Sequence, residues 1–180
     1  MRHLKYSFLL ITIICAGCAD SSSHQSNPTA HVAAVSKELP TGLPEAQIAI
    51  MTSLPPLELW TPTKAEAKAA EKAILDHLRS LKASDARTSY IKKQSERILT
   101  QYSKYRLQII GGFTRDTKGK YIWFNYIPMP YEILPGEIVD QFPDWKTELV
   151  AVEDGGISFW EIKYDVETKS CRELRINFET

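Results

Sequence analysis

The sequence predicts an α+β fold: an N-terminal helix or two helices packed on a curled antiparallel sheet of four to five strands. Three observations predict it. Apolar residues recur at spacings of three and four from Thr63 to about Lys104, which is the period of a helix. From Arg106 onward apolar and polar residues alternate, with the β-branched and aromatic enrichment of strands. Turn-forming clusters then punctuate that half at short intervals, so helices come first and hairpins follow.

The chain opens with Arg2 and Lys5, an apolar run from Tyr6 to Cys15, and two small residues, Ala16 and Gly17, before Cys18. Residues 1–17 thus have the layout of a secretory signal peptide. The apolar run is about a dozen residues, short of the roughly twenty that a membrane-spanning helix needs. The small-small-Cys ending resembles the lipobox of bacterial lipoproteins, in which the cysteine receives a thioether-linked diacylglycerol and becomes the new N-terminus. The resemblance implies a lipid anchor, with its palmitate-type chains, at Cys18. That family usually has Leu three residues before the modified cysteine, and Cys15 stands there; ordinary cleavage with a soluble periplasmic or secreted product is the alternative. Ala19 follows Cys18 where the resembled sorting rule has Asp for inner-membrane retention, so the implied location is the outer membrane, facing the periplasm.

Removing 17 of 180 residues leaves 163, enough for one domain with a core. Formal charge is zero overall, and about −2 without the signal, which predicts no nucleic-acid partner. Charge is uneven: residues 64–106 carry eleven Lys or Arg against five Asp or Glu, and residues 107–180 carry eight against thirteen. That asymmetry reads as attraction between a helical layer and its sheet, or as a basic surface leaning on anionic lipid. Of three cysteines, Cys15 leaves with the signal and Cys18 is acylated. Cys171 then has no partner and reads as a small buried hydrophobe.

Residues 18–62 read as a lipidated tether and approach segment, rich in Pro, Ser and Thr. Two apolar islands within it, Ile48–Met51 and Leu57–Trp60, are expected to pack on the domain that spans residues 63–180. Thr63-Lys64-Ala65-Glu66 is a capping box that starts a helix, with Ala67, Ala70, Ile74, Leu78 and Leu81 on one stripe. Ser84-Asp85 breaks it and caps a second helix, continued by Tyr90 or Ile91, Gln94, Ile98 and Tyr102. Strands are expected at 106–114, 120–127, 147–152, 157–164 and 172–178. In the last, Leu174, Ile176 and Phe178 face one way and Glu173, Arg175 and Asn177 the other, which describes a sheet covered on one side and wet on the other.

The segments Trp123-Phe124-Asn125-Tyr126, Asp144-Trp145-Lys146, Val152-Glu153-Asp154-Gly155-Gly156, Tyr164-Asp165 and Ile176-Asn177 together resemble a family of small exported bacterial proteins over residues 90–178. That resemblance implies no activity. The element order also resembles the cystatin or NTF2-like roll, which implies a helix clasped by a bent sheet and no particular function.

Candidate chemistry is sparse. His77 is the only histidine inside the expected domain, no metal-ligand cluster appears, and neither a metal nor a cofactor is expected. A Cys171–His77 pair is formally possible, but His77 between Asp76 and Arg79 reads as solvent-facing. Gly111-Gly112 lies in a strand and reads as a bulge or bend, and Asp154-Gly155-Gly156 as a turn with positive φ at the glycines. Asn125, inside an apolar strand, is expected to satisfy nearby backbone groups. The connection from Pro128 to Pro143 is long for a compact domain. Its apolar residues, among them Met129, Tyr131, Ile133, Leu134, Ile138 and Phe142, would form either a packed lid or a recognition surface. The recognition reading names Tyr126, Met129, Tyr131, Phe142 and Trp145. The functional expectation is a lipid-anchored accessory or binding protein of the cell envelope, without catalytic machinery, meeting the membrane through its anchor and an envelope protein as partner. The alternative is a small envelope hydrolase or transferase using Asp140, Asp144, Glu148, Glu153 and Asp154 at the open end of the sheet.

Overall fold

A computed structural model describes residues 40–54, 58–114 and 119–177. The signal sequence, Cys18 and most of the tether lie outside these residues. Two helices and a five-stranded sheet form an α+β fold. The first helix, α1 (Lys64–Ser80), starts at the expected capping box: Glu66 N–H donates to Thr63 Oγ1 (3.2 Å) and Thr63 N–H to Glu66 Oε2 (2.8 Å). The second, α2 (Ala86–Thr100), starts at Asp85, whose carboxylate accepts from Thr88 N–H at 2.8 Å. Ala67, Ala70, Ile74, Leu75 and Leu78 bury one stripe of α1, and Ile98 that of α2.

The sheet runs in the order β1–β2–β3–β6–β7: Ile48–Met51, Tyr105–Phe113, Lys120–Pro128, Trp160–Asp165 and Ser170–Ile176. Strands β2, β3, β6 and β7 pair antiparallel, as expected. Strand β1 does not: it pairs parallel with β2, Ile48 opposite Leu107 and Met51 opposite Ile110. A parallel pair needs a long crossover, and α1 and α2 together supply it. The domain therefore takes in residues expected to be tether. Trp60 extends the correction, its N–H donating to Gly111 O at 3.2 Å. Four residues between prolines carried too little period for a strand to be read there.

One face of the sheet packs under the helices. Leu107, Ile109, Ile122, Phe124, Tyr126, Trp160 and Ile162 meet α1 and α2 in the main core, with Trp160 stacked on Tyr126 at 3.7 Å between centroids. Burying each such side chain contributes about 1.5–3 kcal/mol. Gly111 and Gly112 make no bulge: they hold regular register opposite Ile122 and Tyr121. They allow close approach instead, because a Cβ at Gly111 would stand 2.1 Å from Trp60 O and one at Gly112 2.5 Å from the Tyr121 ring. Gly155 and Gly156 do adopt positive φ, +95° and +58°.

The expected strand at 147–152 is absent. Residues 140–152 cross the outer face of the sheet without ladder pairing. The long connection before them folds into a small hairpin, β4 (Tyr131–Leu134) with β5 (Glu137–Val139), that pairs only with itself.

Candidate functional site

Each residue of the expected recognition surface has a definite place, and they do not make one surface. Tyr126 is fully buried on the helix side, where its hydroxyl meets that of Tyr102 at 2.9 Å. Trp145 is 6% exposed and belongs to a second small core on the opposite face with Ala49 and Ile127. Phe142 packs edge-on to Phe159 at 5.7 Å in that same cluster. Met129 is half-buried, its sulfur accepting from Gln47 Nε2 at 3.3 Å. Only Tyr131 is open to solvent. Alternation along β3 explains the split, since Tyr126 and its neighbour Ile127 point to opposite faces.

What the connection does present is the β4–β5 hairpin. Tyr131, Ile133, Leu134 and Ile138 are 45%, 57%, 60% and 72% exposed. An isolated two-stranded hairpin is at best marginally stable, so this one depends on how its ends are held. Arg106, itself buried, grips the far end: Nη1 and Nη2 donate to Asp140 Oδ2 and Oδ1 at 2.8 and 2.9 Å, and Nε to Pro128 O at 3.1 Å. Its guanidinium also lies 5.2 Å from the Trp145 ring centroid. The hydrogen bonds from Arg106 hold the Asp140 carboxyl below its ordinary value.

Beyond Asp140 the chain is clamped by two facing amides of β2 and β3. Gln108 Nε2 donates to Trp145 O (2.6 Å) and Glu148 O (2.7 Å), and its Oε1 accepts from Val150 N–H (3.0 Å). Asn125 Nδ2 donates to Val150 O (2.8 Å) and to Gln108 Oε1 (3.0 Å). Trp145 O, Glu148 O and both backbone groups of Val150, which no strand satisfies, are thus satisfied by side chains, the role expected of Asn125. Gln108 was missed, although a glutamine between Leu107 and Ile109 carries the same signal.

The alternative carboxylates do not gather into an acid–base pair: Asp140 is engaged by Arg106, while Asp144, Glu148, Glu153 and Asp154 sit exposed along 144–154. Cys171 is half-buried against the main core, and burial pushes its thiol up to about 11, so it stays protonated at neutral pH. His77 is half-buried rather than fully solvated, its pKa lowered by that burial. Among the described residues no three His, Cys, Asp or Glu side chains group to hold a metal ion.

A second feature was not foreseen. Glu71 sits within the apolar stripe of α1, 3% exposed. Its Oε1 accepts from Leu43 N–H and from Tyr102 O–H, both at 2.8 Å. Burial raises its pKa, against the hydrogen bonds of Tyr102 and Leu43 and the charge of Lys68. An acid at position 71, between Ala67 and Ile74 on the buried stripe, was the readable signal. Its protonation is linked to stability. A carboxyl raised on folding stabilises fully below its ordinary value of 4.5, and that contribution is lost as pH rises through the raised value. The groups facing it are Lys68 on α1, Tyr102 before β2 and Tyr126 on β3. Glu71→Gln is expected to flatten this dependence, so that the variant gains on the native chain as pH rises. Urea midpoints for both proteins between about pH 4 and pH 8 check it; parallel curves would exclude Glu71 as the cause.

Among the described residues no helix is long and apolar enough to cross a membrane. No family model, curated protein or solved structure matches the chain.

Proposed function

We propose that this chain is a lipid-anchored binding module of the cell envelope that engages a protein partner through the β4–β5 hairpin. The observation that carries the reading is the exposure of Tyr131, Ile133, Leu134 and Ile138 on a hairpin whose base is fixed by Arg106 and Asp140. Several large apolar side chains left exposed on one short element mark an interaction site. A hairpin already folded would also bind with less ordering cost than a free loop. The anchor rests on the lipobox-like residues before Cys18, and Ala19 after it supports the outer membrane as its location.

Changing Cys18 to Ser tests the anchor. Metabolic labelling with a radioactive fatty acid is expected to mark the native chain and not the variant, and the variant is expected to leave the membrane fraction or to stay unprocessed. Equal labelling of both would reject Cys18 as the attachment point.

A further inference from the structure

A cavity of about 560 Å³ opens between the segment at 41–45, the edge strand β1, and α1. That volume lies within the roughly 300–1,000 Å³ of small-molecule sites. Its apolar walls are Leu43, Ile48, Ile50, Ala67 and Ile109, from four different parts of the fold. Its polar side chains are few: the buried Glu71, Thr41, the ion pair of Lys64 with Glu45, and Lys68. The Lys64–Glu45 pair cancels its own charge. Lys68 is exposed and has no ion-pair partner among the described residues, so it sets the sign of the mouth.

Glu71 sets the chemistry further in. Its Oε1 is already taken by Leu43 N–H and Tyr102 O–H. Because Tyr102 donates to Glu71, the hydroxyl contact between Tyr102 and Tyr126 runs with Tyr126 as donor. Leu43 N–H and Tyr102 O–H are thus spent on Oε1 and Tyr126 O–H on Tyr102, and Oε2 accepts no hydrogen bond among the described residues. Burial raises the Glu71 pKa, and whenever the acid is protonated its free Oε2 is the oxygen that can donate. A donor inside and an ammonium at the mouth both call for an acceptor that bears negative charge. A cationic head would be repelled by Lys68.

We infer that this cavity binds a single-chain amphiphile with an acidic head, the chain lying against Ile48, Ile50 and Ile109 and the head between Lys68 and Glu71. The site is separate from the hairpin and does not depend on the partner reading. A carboxylate and a phosphate monoester share the required chemistry, so a free fatty acid and a lysophospholipid are the two sources.

The test uses the full chain carrying Cys18→Ser, so that no acyl group of its own competes. Fluorescence of cis-parinaric acid reports binding, and palmitate, palmitoyl lysophosphatidate and hexadecylamine compete against it. Displacement by palmitate, by lysophosphatidate or by both is expected, and their order identifies the source. Hexadecylamine is expected to compete at least about tenfold more weakly. Lys68→Glu, an exposed change that leaves the core intact, is expected to weaken the acids about tenfold or more, and Ile50→Trp to block them by filling the cavity. Absence of saturable probe binding, an amine that competes as well as the acids, or acid affinity unchanged by Lys68→Glu would each overturn the inference.

Discussion

Asn125→Leu is expected to lower stability by about 2–3 kcal/mol, a fall in Tm of roughly 6–12 °C. The leucine fills similar volume but donates nothing. Val150 O then faces an apolar group, and Gln108 Oε1 loses one of its two donors. A buried acceptor left without a partner costs about 1–3 kcal/mol, more than the net gain of the bond itself. The loss should be local as well as global. Hydrogen exchange in 145–150 is expected to accelerate before that of β2 and β3, because the segment has no ladder of its own to fall back on. An unchanged Tm would remove Asn125 from any structural role.

Arg106→Ala has the second large effect, about 2–4 kcal/mol, and a more specific consequence. It deletes a bidentate ion pair, a bond to Pro128 O and the cation over Trp145 together. Asp140 is about a third exposed and can rehydrate, which keeps the cost below that of breaking a fully buried pair. The hairpin then loses the side chain that ties Pro128 to Asp140 across its base. Amide protection at 131–139 is expected to collapse while the main core persists. The pH dependence follows from the same contact. Asp140 is held below its ordinary value of 3.8 in the folded chain, so its contribution is present above that value and is lost as pH falls through the depressed one. Arg106→Ala should remove this part of the acid sensitivity, which acid titration of Tm for both proteins would show.

Much of the helical layer was legible because its signals are local. Thr63 with Glu66, and Asp85 after Ser84, place both helix starts without reference to the rest of the chain. Strands β2, β3, β6 and β7 were legible from alternation, with ends shifted by a few residues. What escaped was decided by tertiary contact. Strand β1 is four residues long and is a strand because Leu107 to Ile110 lie beside it. Residues 147–152 have strand composition but lie across the face of the sheet, where Gln108 and Asn125 take up Glu148 O and both backbone groups of Val150. The candidate surface failed at Tyr126 for a related reason: an aromatic side chain near a loop says nothing of which face of the sheet it occupies. Asn125 was legible because a lone amide among Phe124, Tyr126 and Ile127 demands partners wherever it lies. The same reasoning applied to Glu71 and Gln108 would have located the cavity and the clamp.

The most direct measurement is photocrosslinking in intact envelopes with a photoreactive residue in place of Ile138. A single adduct of defined mass is expected, absent when the same residue replaces exposed Lys93 on α2 and lost when Ile133 and Leu134 are changed to Ser. Labelling at position 138 no stronger than at position 93, or an adduct indifferent to Ile133 and Leu134, would mean that the hairpin engages no partner.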